Sequence, residues 1–311
     1  MSVIVPTYRR PDALLRCLAG LHGQVREADE IIVVVRDTDL ETQHAVDEWI
    51  ATASGAAPNV VTVAEGGVIA ALQAGFERAT GDVIVLTDDD AVARPDWLAL
   101  LVGHYADARV ACVGGRDVQS NTDAPADEVG VLQPWGRLVG EQHRGSGEAR
   151  PVDHLRGVNM SVRRRWWRLD RRLSGTGAQY AWELDACLAA RRADRLVMYD
   201  PDAIVDHEHA RRFDTDQRDA PTFTASAERV HNEMYLLLKW LDPWQGLVVL
   251  GYGLLVGTRF APGPVLLAER LLAGDTQAVR RAAAGFAGRC AALATLAAAA
   301  RDPRWRRETG R

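Results

Sequence analysis

Three consecutive aspartates, Asp88, Asp89 and Asp90, directly follow the apolar run Val83-Ile84-Val85-Leu86-Thr87. Such a run is typical of a strand buried in a sheet, and ligands bind at the carboxyl ends of such strands in open α/β folds. Adjacent carboxylates repel one another and are costly to desolvate unless a positive charge lies among them. A divalent cation with a phosphorylated ligand meets this need, because hard cations take oxygen ligands. The aspartates therefore predict a cation and phosphate site at the edge of a sheet.

The first two hundred residues alternate short apolar runs with segments of helical periodicity. This order predicts an α/β fold in which a mainly parallel sheet is flanked by helices. The predicted strands are Val3–Val5, Ile31–Val35, Val60–Val63, Val83–Leu86, Val110–Val113, Val158–Val162, Leu196–Tyr199 and Val205–His207. The predicted helices are Pro11–Leu21, Leu40–Thr52, Val68–Ala79, Pro95–Tyr105 and Trp182–Ala193. Residues 117–153 are polar and show no clear period, and a loop of that length is usually functional or mobile.

The balance of charge changes sign along the chain. Of the 37 Lys+Arg and 42 Asp+Glu, residues 1–215 hold 24 and 33, whereas residues 216–311 hold 13 and 9. The chain is therefore divided into an α/β domain at 1–215 and a basic, helical region at 216–311. Helices are predicted there at Ala225–Trp240, Val265–Leu272 and Ala278–Ala300.

This C-terminal region fits two roles. Its uncharged run Gly246–Gly257 has twelve residues, fewer than the ~20 that a membrane span needs. With Trp240, Trp244 and the late arginines, the run suits an amphipathic segment at a membrane surface. The alternative is a helical subdomain that packs on the α/β domain or on another copy of the chain. A nucleic-acid partner is not expected, because the acidic body lacks a basic groove with stacking aromatics.

The expected location is the cytoplasm, with the cytoplasmic face of a membrane as a variant. The chain opens on Ser2-Val3-Ile4-Val5-Pro6, which is typical of a strand rather than of a signal peptide. The four cysteines are scattered without metal-ligand spacing, so reduced thiols are expected.

Polar residues also follow the first two predicted strands. Pro6-Thr7-Tyr8-Arg9-Arg10 comes after strand one, and Asp37 and Asp39 come after strand two. Each segment could contact a nucleotide. The first could instead be an ordinary strand-to-helix turn, and in the second an aspartate could instead cap the next helix. Because the carboxyl ends of parallel strands share one edge of the sheet, both segments are expected to lie near the aspartates.

Taken together, these motifs resemble the family 2 glycosyltransferases, which have the GT-A fold, use nucleotide sugars and invert the anomeric centre. The matching segments are Val5–Arg10, Asp37 with Asp39, and the stretch from Gly66 to Asp90, whose last twelve residues are similar to the strand leading into the D-x-D signature of the family. The resemblance covers residues 2–210 and implies a GT-A, Rossmann-like catalytic domain at 1–215, followed by a helical extension.

The resemblance also implies a role for each matching residue. Asp37 or Asp39 would contact the nucleoside, and Asp88 would lie near the ribose and the donor sugar. Asp90 would bind a Mg²⁺ or Mn²⁺ that bridges the donor phosphates, and His207 would complete this metal site unless it is an ordinary strand-end histidine. The whole implied donor-binding set is Pro6, Thr7, Arg9, Asp37, Asp39, Gln73, Asp88, Asp89 and Asn159.

Asn159 and Gln73 belong to two further segments that are compared with the family. Asn159 belongs to a Gly-x-Asn segment that lies beside the donor sugar in the family, although Gly157 could instead mark a place of close backbone packing. Gln73 stands in Leu72-Gln73-Ala74-Gly75, where many relatives have Ala-Arg-Asn before the glycine. A basic donor contact is therefore missing, and a UDP-sugar is the favoured but not the fixed donor.

An inverting transferase needs one base to take the proton of the acceptor hydroxyl. The family supplies it at the start of a helix after a glycine-rich loop, which here is Gly175–Asp185. Glu183 and Asp185 are two residues apart and face opposite ways on a helix. Glu183 is the preferred base because of its spacing from the downstream Arg191-Arg192, and Asp185 stays the alternative. A solvated helix start with no catalytic role is the third reading.

Two other functions compete with sugar transfer. A sugar-phosphate nucleotidyltransferase would share the architecture, but Pro6-Thr7-Tyr8-Arg9 lacks the glycine and lysine of a phosphate loop. A non-catalytic relative that binds only nucleotide or membrane is the other, supported by Leu184 between the two acids. The acceptor, whether a glycan, a lipid or a small molecule, cannot be read from the sequence, and a homo-oligomer remains open.

Overall fold

A single mixed sheet runs through the centre of the protein. The computed structural model describes residues 1–52, 57–119, 124–213 and 222–309, so the predicted domain boundary at 215/216 lies outside the described residues. The strands are β1 (Ser2–Thr7), β2 (Glu30–Arg36), β3 (Asn59–Val63), β4 (Val83–Thr87), β5 (Ala91–Ala93), β6 (Val110–Val118), β7 (Val131–Leu132), β8 (Leu138–Val139), β9 (Arg150–Pro151), β10 (Asn159–Arg163), β11 (Leu196–His207), β12 (Gly257–Thr258) and β13 (Ala261–Pro262).

Helices cover both faces of this sheet and form the C-terminal part of the chain. They are α1 (Pro11–His22), α2 (Leu40–Thr52), α3 (Val68–Arg78), α4 (Trp97–Gly103), α5 (Glu183–Arg192), α6 (Phe223–Trp240), α7 (Pro243–Leu255), α8 (Pro264–Leu272), α9 (Ala278–Ala299) and α10 (Pro303–Thr309).

The order of strands in the sheet is β3-β2-β1-β4-β10-β6-β11-β5, with β9 paired to β11. Strands β3, β2, β1 and β4 are parallel neighbours, while β10 runs antiparallel between β4 and β6. The predicted mainly parallel sheet with flanking helices and a helical extension is therefore confirmed. Its central strands are apolar and fully buried because helices pack on both faces.

Six short strands, β5, β7, β8, β9, β12 and β13, were not predicted from the sequence, and β5 is the one that matters for the site. Ala91-Val92-Ala93 is too short to show a period, yet it forms β5 and pairs antiparallel with the end of β11. The predicted strands Leu196–Tyr199 and Val205–His207 are one strand, β11, with a register shift between Asp200 and Ile204. Because Ala91 lies opposite His207 in this pairing, β5 brings the end of the aspartate run beside that histidine.

The C-terminal helices continue the core of the α/β part. Helix α6 packs against α5 and α9, and Tyr235 and Lys239 on α6 are fully buried. The apolar run Gly246–Gly257 forms most of α7, which begins at Pro243 after a capping box formed by Asp242 and Gln245. Among the described residues, α9 is the one helix that is long and apolar enough to cross a membrane, and 33% of its apolar window is buried inside the protein.

Candidate functional site

A cleft of about 1170 Å³ opens at the carboxyl ends of β1, β2 and β4 and extends to the C-terminal helices. The glycine-rich loop before α5 forms one side of it, and α6, α7 and the β12–β13 hairpin form the far wall. Seven residues singled out in the sequence line this cleft together: Pro6, Thr7, Asp88, Asp89, Asp90, Glu183 and His207.

Asp88, Asp90 and His207 form a compact group at the end of β4. One ligand atom from each lies within 4.8 Å of the others. The β5–β11 pairing holds the group together, because the Glu208 N–H donates to the Asp90 carbonyl (3.0 Å) and the Ala210 N–H donates to the Asp90 carboxylate (2.9 Å). Two carboxylates and one imidazole are a donor set that suits a divalent metal such as Mn²⁺.

The charges around His207 are consistent with a cation site. Its Nε2 lies 3.2 Å from Asp90 Oδ1, and its Nδ1 lies 3.7 Å from Asp117 Oδ2. Burial lowers the pKa of His207, but the carboxylates of Asp117 and Asp90 outweigh it and raise the pKa to about 9. The imidazolium thus supplies positive charge among the acids. A divalent cation would supply the same charge and take the neutral imidazole as a ligand, so the residues fit such an ion.

Asp89 has a supporting position. Its carboxylate is buried, accepts from the Thr7 hydroxyl (2.7 Å) and pairs with the Arg10 guanidinium (2.7 Å). Burial raises the pKa of Asp89 to about 6 although the Arg10 charge opposes this. These contacts tie the turn after β1 to the aspartate run, so the two segments converge at one edge of the sheet.

Asp37 and Asp39, the predicted nucleoside contacts, are not among the described residues that line the cleft. Asp39 is buried and accepts from the Arg9 and Thr42 N–H groups, which fixes the start of α2. Asp37 is exposed and stands outside the set of cleft-lining residues, as does the exposed Arg9. Asp39 therefore caps helix α2, which was the alternative interpretation of this segment.

The polar side chains of Gln73 and Asn159 form hydrogen bonds to other protein groups, and neither residue is among the described residues that line the cleft. Gln73 donates to Glu77 one turn along α3 (2.9 Å). The Asn159 amide donates to the carbonyls of Arg116 and Ala203 and accepts from the Trp97 indole (2.8 Å). It therefore joins three segments of the core behind the cleft.

Gly157 shows why that segment needs a glycine. A Cβ atom at this position would lie 2.3 Å from the Trp182 ring. This is the close backbone packing that was the alternative explanation for Gly157. Trp182 directly precedes the helix that carries Glu183, so the contact lies at the start of that helix.

Glu183 begins α5 and lines the cleft, half-buried. The loop before it is fixed to the start of α3, where the Val68 N–H donates to the Gly177 carbonyl and the Ile69 N–H donates to Gln179 Oε1, both at 2.9 Å. Burial raises the pKa of the Glu183 carboxyl to about 7, and the nearby Asp88 charge adds to this. A carboxyl with such a pKa can take up a proton near neutral pH.

Asp185 faces the opposite way, into the core between α5 and α6. It is 1% exposed. One of its oxygens accepts from Lys239 Nζ (2.8 Å) and the Trp240 indole (2.7 Å), and Lys239 also pairs with Asp170 (2.9 Å). The two acids of the segment therefore have different environments, and Glu183 is the one in the cleft.

Arg36 was not predicted as a site residue, but it lines the cleft beside Tyr8 of the turn after β1. The Arg36 guanidinium lies 5.6 Å from the Tyr8 ring centroid, and its Nε is buried without a hydrogen-bond partner within the described residues. Arg36 could have been predicted from its position, because it is a cation at the last position of β2 and therefore lies at the same edge of the sheet as Asp88.

The N-terminal half of the chain matches a known protein family. Residues 2–166 match the model described as glycosyl transferase family 2. The chain is 30% identical over 170 residues to a glucosyl-dolichyl phosphate glucuronosyltransferase of Haloferax volcanii, covering 53% of this chain and 52% of the relative. It is 34% identical over 100 residues to the amylovoran biosynthesis glycosyltransferase AmsE of Erwinia amylovora, covering 30% and 36%. The chain spans about half the length or less of these curated relatives.

Solved glycosyltransferase structures share the fold. The structure of GalNAc-T7 with UDP, GalNAc and Mn²⁺ gives a TM-score of 0.64 at 15% identity, covering 91% of this chain and 56% of that one. The mannosyltransferase PcManGT of Pyrobaculum calidifontis with GDP-Man and Mn²⁺ gives 0.53 at 20% identity, covering 99% and 82%. TarS of S. aureus with UDP-GlcNAc gives 0.56 at 14% identity, covering 81% and 70%. The architecture is therefore that of the GT-A glycosyltransferases.

Proposed function

Because the chain belongs to glycosyl transferase family 2 over residues 2–166, we propose that it transfers a sugar from a nucleotide-diphosphate sugar to an acceptor hydroxyl, with inversion. One observation carries the proposal: a group of Asp88, Asp90 and His207 that suits a cation lies in the same cleft as Glu183, a carboxyl with a raised pKa.

Asp88, Asp90 and His207 are the residues that would hold a Mg²⁺ or Mn²⁺ ion. When bound, such an ion would neutralise the donor phosphates and would stabilise the nucleoside diphosphate as the leaving group. Arg10, which pairs with Asp89 and lies 3.6 Å from Asp90, adds fixed positive charge beside the same edge.

Glu183 is the proposed general base. The acceptor oxygen forms a bond to the anomeric carbon, while the bond from that carbon to the diphosphate oxygen breaks and its electron pair stays on the diphosphate. The hydroxyl proton goes to the Glu183 carboxylate. The displacement occurs in one step, so the configuration at the anomeric carbon inverts. Asp185 is not proposed for this role because both its charge and its hydrogen bonds are used by α6.

The donor nucleoside is proposed to lie between the turn after β1 and the start of α3. Pro6, Tyr8 and Arg36 line this end of the cleft. The unpaired Nε of Arg36 can donate to a base carbonyl. A UDP-sugar is the preferred donor. The three similar solved structures contain nucleotides or nucleotide sugars.

The test is turnover of a panel of UDP-, GDP- and dTDP-sugars with Mn²⁺ or Mg²⁺, followed as nucleoside diphosphate release before and after chelation. We expect release from at least one donor and its loss with EDTA. Release of inorganic pyrophosphate from UTP and a sugar 1-phosphate would favour a nucleotidyltransferase instead. Binding of donor without any turnover would favour a non-catalytic relative.

We further propose that α7 and α8 contact an anionic membrane surface. Trp244, Leu247, Val248 and Leu255 are exposed along one face of α7, and Leu272 of α8 is 91% exposed. Residues 216–311 carry 13 basic against 9 acidic residues, which complements an anionic bilayer. Flotation with anionic vesicles, lost in Leu247→Ser/Leu255→Ser and in neutral vesicles, would support this contact. A dimer that covers the face and does not float would contradict it.

A further inference from the structure

Aromatic rings and arginines alternate in the half of the cleft beyond Glu183. The Arg229 guanidinium carbon lies 4.0 Å from the centroid of the Tyr180 ring and 4.5 Å from that of the Phe260 ring. The Arg259 guanidinium carbon lies 4.6 Å from the same Phe260 ring. All four residues line the cleft. The stacking fixes the plane of each guanidinium and leaves its N–H groups available at the edges.

Arg229 has few partners of its own. Its Nη2 donates to the Tyr180 hydroxyl (3.1 Å), which is the one hydrogen bond that it makes within the described residues. Glu233, one turn later on α6, lines the same cleft but lies beyond ion-pair distance of it in the described part of the chain. A guanidinium held in place with most of its donors unused is prepared for an anion.

Arg289 adds an independent observation on the same wall. Its side chain is 4% exposed and donates through Nη2 to the Ala261 carbonyl (2.6 Å). Its Nε is buried and has no hydrogen-bond partner among the described residues. Among the described residues that line the far wall are four arginines, Arg229, Arg259, Arg270 and Arg289, and one acid, Glu233. Positive charge is therefore in excess among these lining residues, although Glu233 interacts with Arg229 and Arg289, and Arg270 with Asp275.

The position of Arg229 assigns this anion to the acceptor rather than to the donor. The Arg229 guanidinium donates to the hydroxyl of Tyr180, three residues before Glu183 in the loop that leads into α5. The charges of Arg156 and Arg229 both lower the pKa of the Glu183 carboxyl against the effect of burial. The aspartates of the donor end have Arg10 and His207 as their positive neighbours. Arg229 therefore lies near the base, on the side where the acceptor hydroxyl must approach.

We propose that Arg229 and Arg259 bind a phosphate group carried by the acceptor, close to the hydroxyl that Glu183 deprotonates. The inference rests on the proposed function. Arginine binds phosphate through paired N–H groups, and the phosphate takes no part in the bond changes. Val249, Tyr252 and Leu266 line the same cleft, so an apolar group attached to the phosphate would be sheltered there. The source is either a lipid-linked sugar phosphate or a soluble sugar phosphate.

Calorimetric titration of the full chain tests this. Mn²⁺ and UDP are added first, so that phosphate probes cannot occupy the donor end. The probes are octyl phosphate, glucose 1-phosphate and the neutral octyl glucoside. We expect at least one phosphate to bind about tenfold or more tightly than octyl glucoside, as for a charge-assisted hydrogen bond. Tighter binding of octyl phosphate would indicate a lipid-linked acceptor, and tighter binding of glucose 1-phosphate a soluble one.

Variants identify the site. Arg229→Gln and the exposed Arg259→Gln should each weaken phosphate binding about tenfold or more while UDP binding stays intact. Arg280→Gln, at an exposed position on α9, is the matched control and should bind as the wild type does. Equal affinity for phosphate and neutral probes, or full phosphate affinity in both cleft variants, would overturn the inference. Failure of UDP to bind with Mn²⁺ would instead count against the proposed function, and the probes are then titrated without UDP.

Discussion

The Nζ atom of Lys239 lies 2.8 Å from Oδ1 of Asp185, only two residues after Glu183 in the same helix. Helix α5 therefore has two functions on its two sides. One side presents the proposed base to the cleft, and the other is fixed to α6 by a buried ion pair. Because the fixed side sets the position of the helix start, this pair also determines where Glu183 stands.

Replacement of Lys239 by methionine should destabilise the protein strongly. Asp170 and Asp185 would both lose a cation within 2.9 Å, and an uncompensated buried charge costs about 3–5 kcal/mol. Denaturant unfolding at pH 7 measures the loss. Arg280→Met on the exposed face of α9 is the control and should change the free energy of unfolding by less than ~0.5 kcal/mol. A loss below ~1 kcal/mol in Lys239→Met would contradict this reading of the pair.

Activity should rise with pH through neutrality. The pKa of Glu183 is raised to about 7 by burial, and a base acts only when deprotonated. Turnover should therefore fall about tenfold for each pH unit below 7 and level off above it. The measurement is initial rate against pH with donor, acceptor and Mn²⁺ all saturating. A flat profile between pH 5.5 and 8 would exclude Glu183 as the titrating base.

Asp90→Asn should remove the effect of metal on stability. A ligand that binds only the native state raises the melting temperature, so Mn²⁺ with UDP should stabilise the wild type but hardly affect this variant. Asp47→Asn, at an exposed position on α2, should keep the full shift. If Asp90→Asn responds to Mn²⁺ as the wild type does, the ion is bound somewhere else.

Variants at Arg36 and Asp39 should have different effects, the first on the affinity for UDP and the second on the stability of the fold. Arg36→Gln removes a buried, unpaired donor from the cleft and should weaken UDP binding about tenfold. Asp39→Ala removes the cap of α2 and should cost about 1 kcal/mol of unfolding free energy with little change in UDP affinity. Calorimetry and denaturant unfolding of both variants check this. The reverse pattern would restore Asp39 as the nucleoside contact.

Strands β1, β2 and β4 were predictable because they are buried and their sequences are almost unbroken apolar runs. Strand β5 was not, because three residues carry no period and its pairing with β11 depends on residues more than a hundred positions later. This matters for function, since the same pairing brings Asp90 to His207. The motif suggested the two ligands, but only the tertiary structure shows that they lie together.

The roles of several site residues could not be assigned from residue type either. An aspartate after a strand can bind a nucleoside or cap a helix with the same atoms, so Asp39 could not be assigned from its type. Asn159 poses the same problem, because a buried amide can join core segments as well as hold a sugar. Helical spacing predicted that Glu183 and Asp185 face opposite ways, but it did not show which of them faces the cleft. The partner that retains Asp185 in the core, Lys239, is 54 residues away in the sequence.

The most direct test of the central claim compares Glu183→Gln with wild type in a single experiment. Turnover of the best nucleotide sugar is measured with Mn²⁺, together with the affinity of UDP and Mn²⁺ for the same samples, and Glu41→Gln on the surface of α2 serves as control. We expect Glu183→Gln to bind UDP and Mn²⁺ as the wild type does but to turn over about 10²–10⁴-fold more slowly. Unchanged turnover in Glu183→Gln would contradict the central claim.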